Sequence, residues 1–150
     1  MTVLAGQLMT ILDETTIAAG SDGSTAGGQV IVPSMYERAV VLLTVSDKTM
    51  DSSTTLNIYL QYSPDEGTTW DDLVSFAQVT NSAIADGTYV AVLNGVPATS
   101  TAARVTTDGS LAAGSVNALP WCDRLRVKYT KVNFAGTDTI TIKVQAYFVP

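Results

Sequence analysis

The side chains that most often do chemistry are scarce in this sequence. None of its 150 residues is histidine, which removes the usual general base, the usual activator of a nucleophile and the commonest metal ligand. Neither a Ser-His-Asp nor a Cys-His arrangement can be assembled. Cys122 is the single cysteine. It can form no internal disulfide, gives no zinc site without histidine, and reads as a small buried hydrophobe. No glycine-rich phosphate loop stands between a strand and a helix. The acids that remain are Asp65, Glu66, Asp71 and Asp72. Catalytic carboxylate pairs face each other across a cleft, as in glycoside hydrolysis. These four cluster around one expected hairpin turn and read as solvated turn carboxylates. Acidic loops also offer oxygen ligands to calcium, but no regular Asp-x-Asp-x-Asp spacing is present. The residue inventory points away from an enzyme and implies no cofactor or metal.

One motif carries local physics. Ser63-Pro-Asp-Glu-Gly-Thr-Thr-Trp70 matches the pattern S-x-D-x-G-x-[TS]-W. Gly67 can take the positive φ of a tight turn. Asp65 can accept hydrogen bonds from the turn backbone. Trp70 can fold back over the hairpin and anchor it to the core. Ser63, Asp65, Gly67 and Trp70 are thus a structural hairpin motif rather than a catalytic one.

The elements that must position this hairpin are strands. Leu56, Ile58, Leu60 and Tyr62 alternate with Asn57, Tyr59 and Gln61, a period of two that turns one face inward. Further strands are expected at Gln29–Val32, Arg38–Val45, Asp72–Val79 and Tyr89–Leu93. Arg38–Val45 is apolar on both faces and reads as a central strand. The stretch Val96–Leu119 reads mainly as loop, with one weak strand near Ala103–Thr106. At the C-terminus Leu125, Val127 and Tyr129 alternate with Arg124, Arg126 and Lys128. After Asn133–Thr137, Ile140, Ile142, Val144, Ala146 and Phe148 alternate with polar residues. This pair reads as a long amphipathic hairpin.

No stretch has sustained helical periodicity, and the missing crossover helices exclude a parallel βαβ fold. About eight short strands separated by turns predict an antiparallel β-sandwich of jelly-roll type. Residues 1–28 are expected as an N-terminal arm or edge strand followed by a flexible loop, Gly20–Gly28. Residues 29–150 are expected to form the sandwich.

Composition limits the partners. Hydrophobic residues make up 46% of the chain and charged residues only 15%, which excludes a disordered chain. The net charge of −6 opposes binding to phosphate backbones, so nucleic acid is not an expected partner. No apolar run reaches the roughly 18 residues of a membrane span. The first positive side chain is Arg38, so Met1–Leu12 lacks the basic region of a secretory signal. A lone cysteine suits assembly in a cytoplasm.

The Ser63–Trp70 motif resembles the Asp-boxes of sialidases, where they are structural and lie away from the active site. Those enzymes repeat the motif around a propeller, and here it occurs once. The wider pattern is similar to that of small bacteriophage virion β-sandwich proteins of the head decoration or cement type. Ile11-Leu-Asp13 leads into the Gly/Ser segment Gly20–Gly28. The strand Ala39–Val45, the hairpin Ser63–Trp70 and the final amphipathic strand Thr139–Val149 follow, with Glu66 where glycine is common. The resemblance implies a non-enzymatic structural protein, a homotrimer bound to the major capsid protein on the outer head shell. The alternative it leaves is a glycan- or receptor-binding module of a tail or fibre. Tyr59, Tyr62, Trp70 and Trp121 would then be the candidate contacts.

Arg124, Arg126, Lys128 and Lys143 are expected to share the outward face of the C-terminal hairpin. In an acidic chain this asymmetry reads as a face for docking an acidic shell or neighbouring subunit. Protection of an edge strand by lysine is the competing reading.

Overall fold

The computed structural model describes residues 6–20, 22–32, 36–94, 106–117 and 124–150. Ten strands and no helix are found among them: β1 (Gln7–Ala18), β2 (Gly23–Ile31), β3 (Arg38–Thr49), β4 (Thr55–Ser63), β5 (Asp71–Ser75), β6 (Val79–Thr80), β7 (Gly87–Asn94), β8 (Ser115–Val116), β9 (Arg124–Val132) and β10 (Thr139–Val149).

The eight longer strands form four nested antiparallel pairs: β4 with β5, β3 with β7, β2 with β9 and β1 with β10. Folded over, these pairs give two sheets. Sheet A has the order β1-β10-β3-β7, and sheet B the order β2-β9-β4-β5-β8, with β6 beside β4. Nested pairs split between two facing sheets are the jelly-roll arrangement expected from the sequence.

Alternation along each strand fills the space between the sheets. Ala39, Val41, Leu43 and Val45 of β3 and Ile140, Ile142, Val144, Ala146 and Phe148 of β10 face Leu56, Ile58, Leu60, Leu125 and Val127 of sheet B. All are buried, and they form one contiguous core.

Within the first 28 residues, Gln7–Ala18 joins sheet A and the strand from Gly23 joins sheet B. β1 is an edge strand of sheet A, one of the two forms expected. Its register slips between Thr10 and Leu12 and again between Leu12 and Thr15. These bulges let the neighbours Ile11 and Leu12 both turn inward, where both are buried. The expected flexible loop Gly20–Gly28 is instead largely strand: β2 starts at Gly23 and pairs with β9. Its small residues lie close to β1. Gly28 has φ +65, and a Cβ there would collide with the Ile11 backbone, so glycine is required for contact rather than for flexibility.

The expected strand Asp72–Val79 is split into β5 and β6, with Phe76, Ala77 and Gln78 between them. The loop Val96–Leu119 contains β8, which pairs with β5. Most of the weak strand expected near Ala103–Thr106, like Cys122 and Trp121, lies outside the described residues.

The C-terminal pair departs from the expected hairpin. β9 and β10 are not a hairpin: β9 pairs with β2 and β4 in sheet B, and β10 with β1 and β3 in sheet A. The segment between them arches across the sandwich. Asn133 (φ 58) and Gly136 (φ 59) supply its left-handed turns, and Phe134 is buried beneath it. Asp138 pins the arch. Its carboxylate accepts the N–H groups of Asp51 (2.7 Å) and Ala135 (3.0 Å) and the Thr54 hydroxyl (2.7 Å). These bonds, the Ala135 N–H foremost, hold its carboxyl below the ordinary carboxylate range against the opposing effect of desolvation.

Candidate functional site

The Asp-box hairpin joins β4 to β5 and is closed by hydrogen bonds among its own residues. The Ser63 hydroxyl donates to Asp65 Oδ1 (3.0 Å) and accepts the Gly67 N–H (2.6 Å). Asp65 accepts the Thr69 N–H on Oδ1 (2.6 Å) and the Thr69 hydroxyl on Oδ2 (2.8 Å). The Thr69 N–H is the main reason its carboxyl is held below the usual range, with further bonds from the Thr69 and Ser63 hydroxyls and the Thr68 N–H and opposition from desolvation. Gly67 has φ +99, in the left-handed region that favours glycine. The Trp70 indole N–H donates to the Gly67 carbonyl (3.0 Å), and the ring is buried. Ser63, Asp65, Gly67 and Trp70 thus close on one another as the motif spacing predicts.

The adjacent acids behave differently. Asp65 and Glu66 are exposed on the turn, but Asp71 and Asp72 are buried, which corrects their reading as solvated turn carboxylates. β5 has no exposed residue because the segment 106–117 lies over it. Asp71 Oδ1 accepts the Thr107 N–H (2.8 Å) and hydroxyl (3.1 Å), and its Oδ2 accepts the Tyr62 hydroxyl (3.2 Å). Asp72 accepts the consecutive N–H groups of Gly109, Ser110 and Leu111, each at 3.0 Å, and the Gln61 amide at 2.7 Å. Buried carboxylates persist when bonded in this way. Tyr59, buried in the same layer, has its hydroxyl pKa raised, first by desolvation and then by the charge of Asp72.

The expected basic docking face does not exist as a single surface. Arg124, Arg126 and Lys128 lie on β9 and Lys143 on β10, in opposite sheets. Arg126 and Lys128 are also engaged internally. Asp108 Oδ1 is 3.3 Å from the Arg126 guanidinium and 2.9 Å from Lys128 Nζ. Arg126 Nε donates to Gln61 Oε1 (2.8 Å), and its guanidinium stacks 4.1 Å from the Trp70 ring centroid. Burial lowers the Arg126 pKa against the pull of Asp108. Asp108 is itself desolvated. The Gln61 amide and the Lys128 and Arg126 charges outweigh that and lower its carboxyl pKa. Among the described residues, Arg124 Nε is buried with no hydrogen-bond partner.

The chain matches no protein-family model and no curated protein.

Sequence reasoning missed Gln61, Asp108 and Lys48. Gln61 sits on the polar side of an alternating strand, and only the covering loop makes that side interior. Asp108-Gly109 is a turn signal inside a stretch otherwise rich in small residues. Lys48 Nζ lies within hydrogen-bonding distance of four carbonyl oxygens of one loop, those of Thr80 (2.9 Å), Asn81 (3.1 Å), Ala83 (3.1 Å) and Ile84 (2.6 Å), which share its three N–H donors. Ile84 itself has φ 59, an unusual conformation for a β-branched residue. Lys48 is therefore a half-buried cation that organises a strained loop. Among the described residues no group of three or more Cys, Asp or Glu side chains is placed to hold a metal ion. Tyr59 and Trp70 are buried, so core packing accounts for two of the aromatic residues weighed as glycan contacts.

Proposed function

We propose that this chain is a non-enzymatic structural protein of a virus particle, a decoration or cement protein that binds the major capsid protein on the outside of a phage head. Such a protein acts through surfaces rather than bond-making groups. The observation that carries the reading is the outer face of sheet A. Leu8, Tyr147, Val40 and Val92 are register partners in one row across all four strands. Leu8, Tyr147 and Val92 are 55%, 42% and 58% exposed. An apolar row of this breadth on an acidic protein suits docking to another protein. The jelly roll, used by capsid and lectin domains alike, and the resemblance to phage virion proteins support the same reading. The threefold order of the assembly rests on that resemblance alone, and head-shell binding, assembled in a host cytoplasm, is what the reading requires.

A second reading, a glycan-binding tail module, is favoured by a cleft of about 330 Å³ lined by Gln29, Gly67, Trp70 and Arg126. Co-sedimentation with undecorated capsids separates the two. Binding that is lost in Leu8→Lys and Tyr147→Lys supports the head-shell role. No sedimentation with capsids, together with retention by a glycan that depends on Arg126, supports the tail module.

A further inference from the structure

We infer that β7 is a self-pairing edge, through which two copies of this chain join into one continuous eight-stranded sheet. A free sheet edge is a row of unpaired N–H and C=O groups, and proteins normally blunt it with charges, proline, bulges or brevity. The other edges among the described residues are blunted, the two-residue β6 among them. β1 has two bulges and carries Asp13 and Glu14. β2 is glycine-rich and slips register between Gly27 and Val30. β8 is two residues long. β7 has none of these devices. Gly-Thr-Tyr-Val-Ala-Val-Leu-Asn contains no charge and no proline, and it pairs with β3 in unbroken register from Thr88 to Asn94. No strand pairs with its other side among the described residues.

The occupant that fits this edge is β7 of a second copy. Both chains carry a net charge of −6, so they repel over most of their surfaces, but an uncharged strand brings no carboxylate to the contact. The sequence is also self-complementary about a twofold axis at Ala91. Antiparallel pairing there sets Val90 opposite Val92 of the partner subunit, with both side chains on the outer face. These valines are 62% and 58% exposed. Their β3 neighbours in register are Leu42 and Val40, so the apolar row would run unbroken through the junction. On the other face an apolar groove of about 380 Å³ opens between β7 and β5, lined by Val74, Phe76, Ile84 and Val116 among others. A strand added to β7 would lay Tyr89 and Ala91 of the partner subunit over that groove. A twofold contact of this kind is closed and does not propagate into fibres.

The twofold pairing takes the place of the threefold order that the resemblance implies, and it stands whether or not the outer face, to which Val92 also belongs, binds a capsid. Its test needs no capsid. Light scattering on the full chain should give twice the 15.8 kDa chain mass at high micromolar concentration. Backbone amides of β7 should exchange more slowly there than under dilute conditions, with those of β1 unchanged. The exposed-site variant Val90→Lys/Val92→Lys should keep the wild-type circular dichroism, halve the mass and abolish the concentration dependence. A monomer at high concentration overturns the inference. So does a mass of three chains, or a dimer whose β7 amides or lysine variant show no change.

Discussion

Both carboxylate oxygens of Asp72 accept the backbone N–H of Gly109, thirty-seven residues further along the chain. With Ser110 and Leu111 completing the nest, one buried side chain of β5 holds the segment that covers sheet B. Asp72→Asn removes the charge that these donors face. The expected cost is about 2–3 kcal/mol, the scale of hydrogen bonds to a charged group. For a chain of this size that lowers Tm by roughly 4–12 °C. Hydrogen exchange should show residues 109–111 losing protection before the sheets do. Unchanged exchange at these amides would remove the Asp72 anchor.

The Asp-box can be tested separately. Asp65→Ala leaves the Thr69 N–H and hydroxyl without their carboxylate acceptor. The expected result is a lower Tm with the rest of the fold intact, read by thermal melts followed through Trp70. A ligand or metal that binds wild type and not Asp65→Ala would contradict a purely structural hairpin.

The legibility of this fold divides along a physical line. Alternation in Leu56–Tyr62 and Ile140–Phe148 shows which side of a strand is buried, because the side-chain period is two wherever a strand is found. It does not say which strand lies alongside. Two amphipathic strands in succession can pair edge to edge as a hairpin or face each other across a core, with the same apolar pattern in either case. β9 and β10 take the second course, which is why Lys143 is separated from Arg124, Arg126 and Lys128. The Asp-box was legible because its partners lie within a few residues of one another. The Asp72 nest was not, since its donors are backbone groups of a segment with little sequence signal. Periodicity also cannot reveal a loop laid over a polar face, and this is how Gln61 becomes buried.

Stability should depend on acid in a defined direction. Asp65, Asp108 and Asp138 all have folded-state pKa values below the ordinary carboxylate range. Each therefore contributes stability above the unfolded pKa of about 4, and that contribution is lost as pH falls through the lower folded value. Denaturant titrations should show stability level near neutrality and declining on acidification below about pH 4. Asp138→Asn should be less stable than wild type at neutral pH, with the gap narrowing in acid. A gap of constant size across that range would show that the Asp138 charge is not what pins the arch.

Lys48 offers a test of a cation that gathers loop carbonyls. Lys48→Met keeps the apolar stem but leaves four loop carbonyls without the ammonium. The expected loss is about 2 kcal/mol, with faster exchange at residues 80–86. Lys48→Arg should rescue poorly, because a planar guanidinium cannot direct its donors to one convergent point as an ammonium does. Full rescue by arginine would mean that the charge alone matters and not the carbonyl geometry.

The division of the basic residues between sheets gives the most direct check on the topology. Asp108 is held by Arg126 and Lys128 on β9, and its segment covers the outer side of sheet B. Arg126→Ala and Lys128→Ala should each loosen residues 106–111, and Arg126→Ala should also uncover the Trp70 ring. Lys143 projects from β10 on the far side of the molecule. Lys143→Ala should leave the exchange of residues 106–111 unchanged and alter stability by no more than about 0.5 kcal/mol, the usual range for a surface substitution. If β9 and β10 were instead a hairpin, Lys143 would sit beside the same acid, and its removal would loosen the same segment. Amide exchange in these three variants therefore decides between a chain that turns back within one sheet and one that crosses the sandwich.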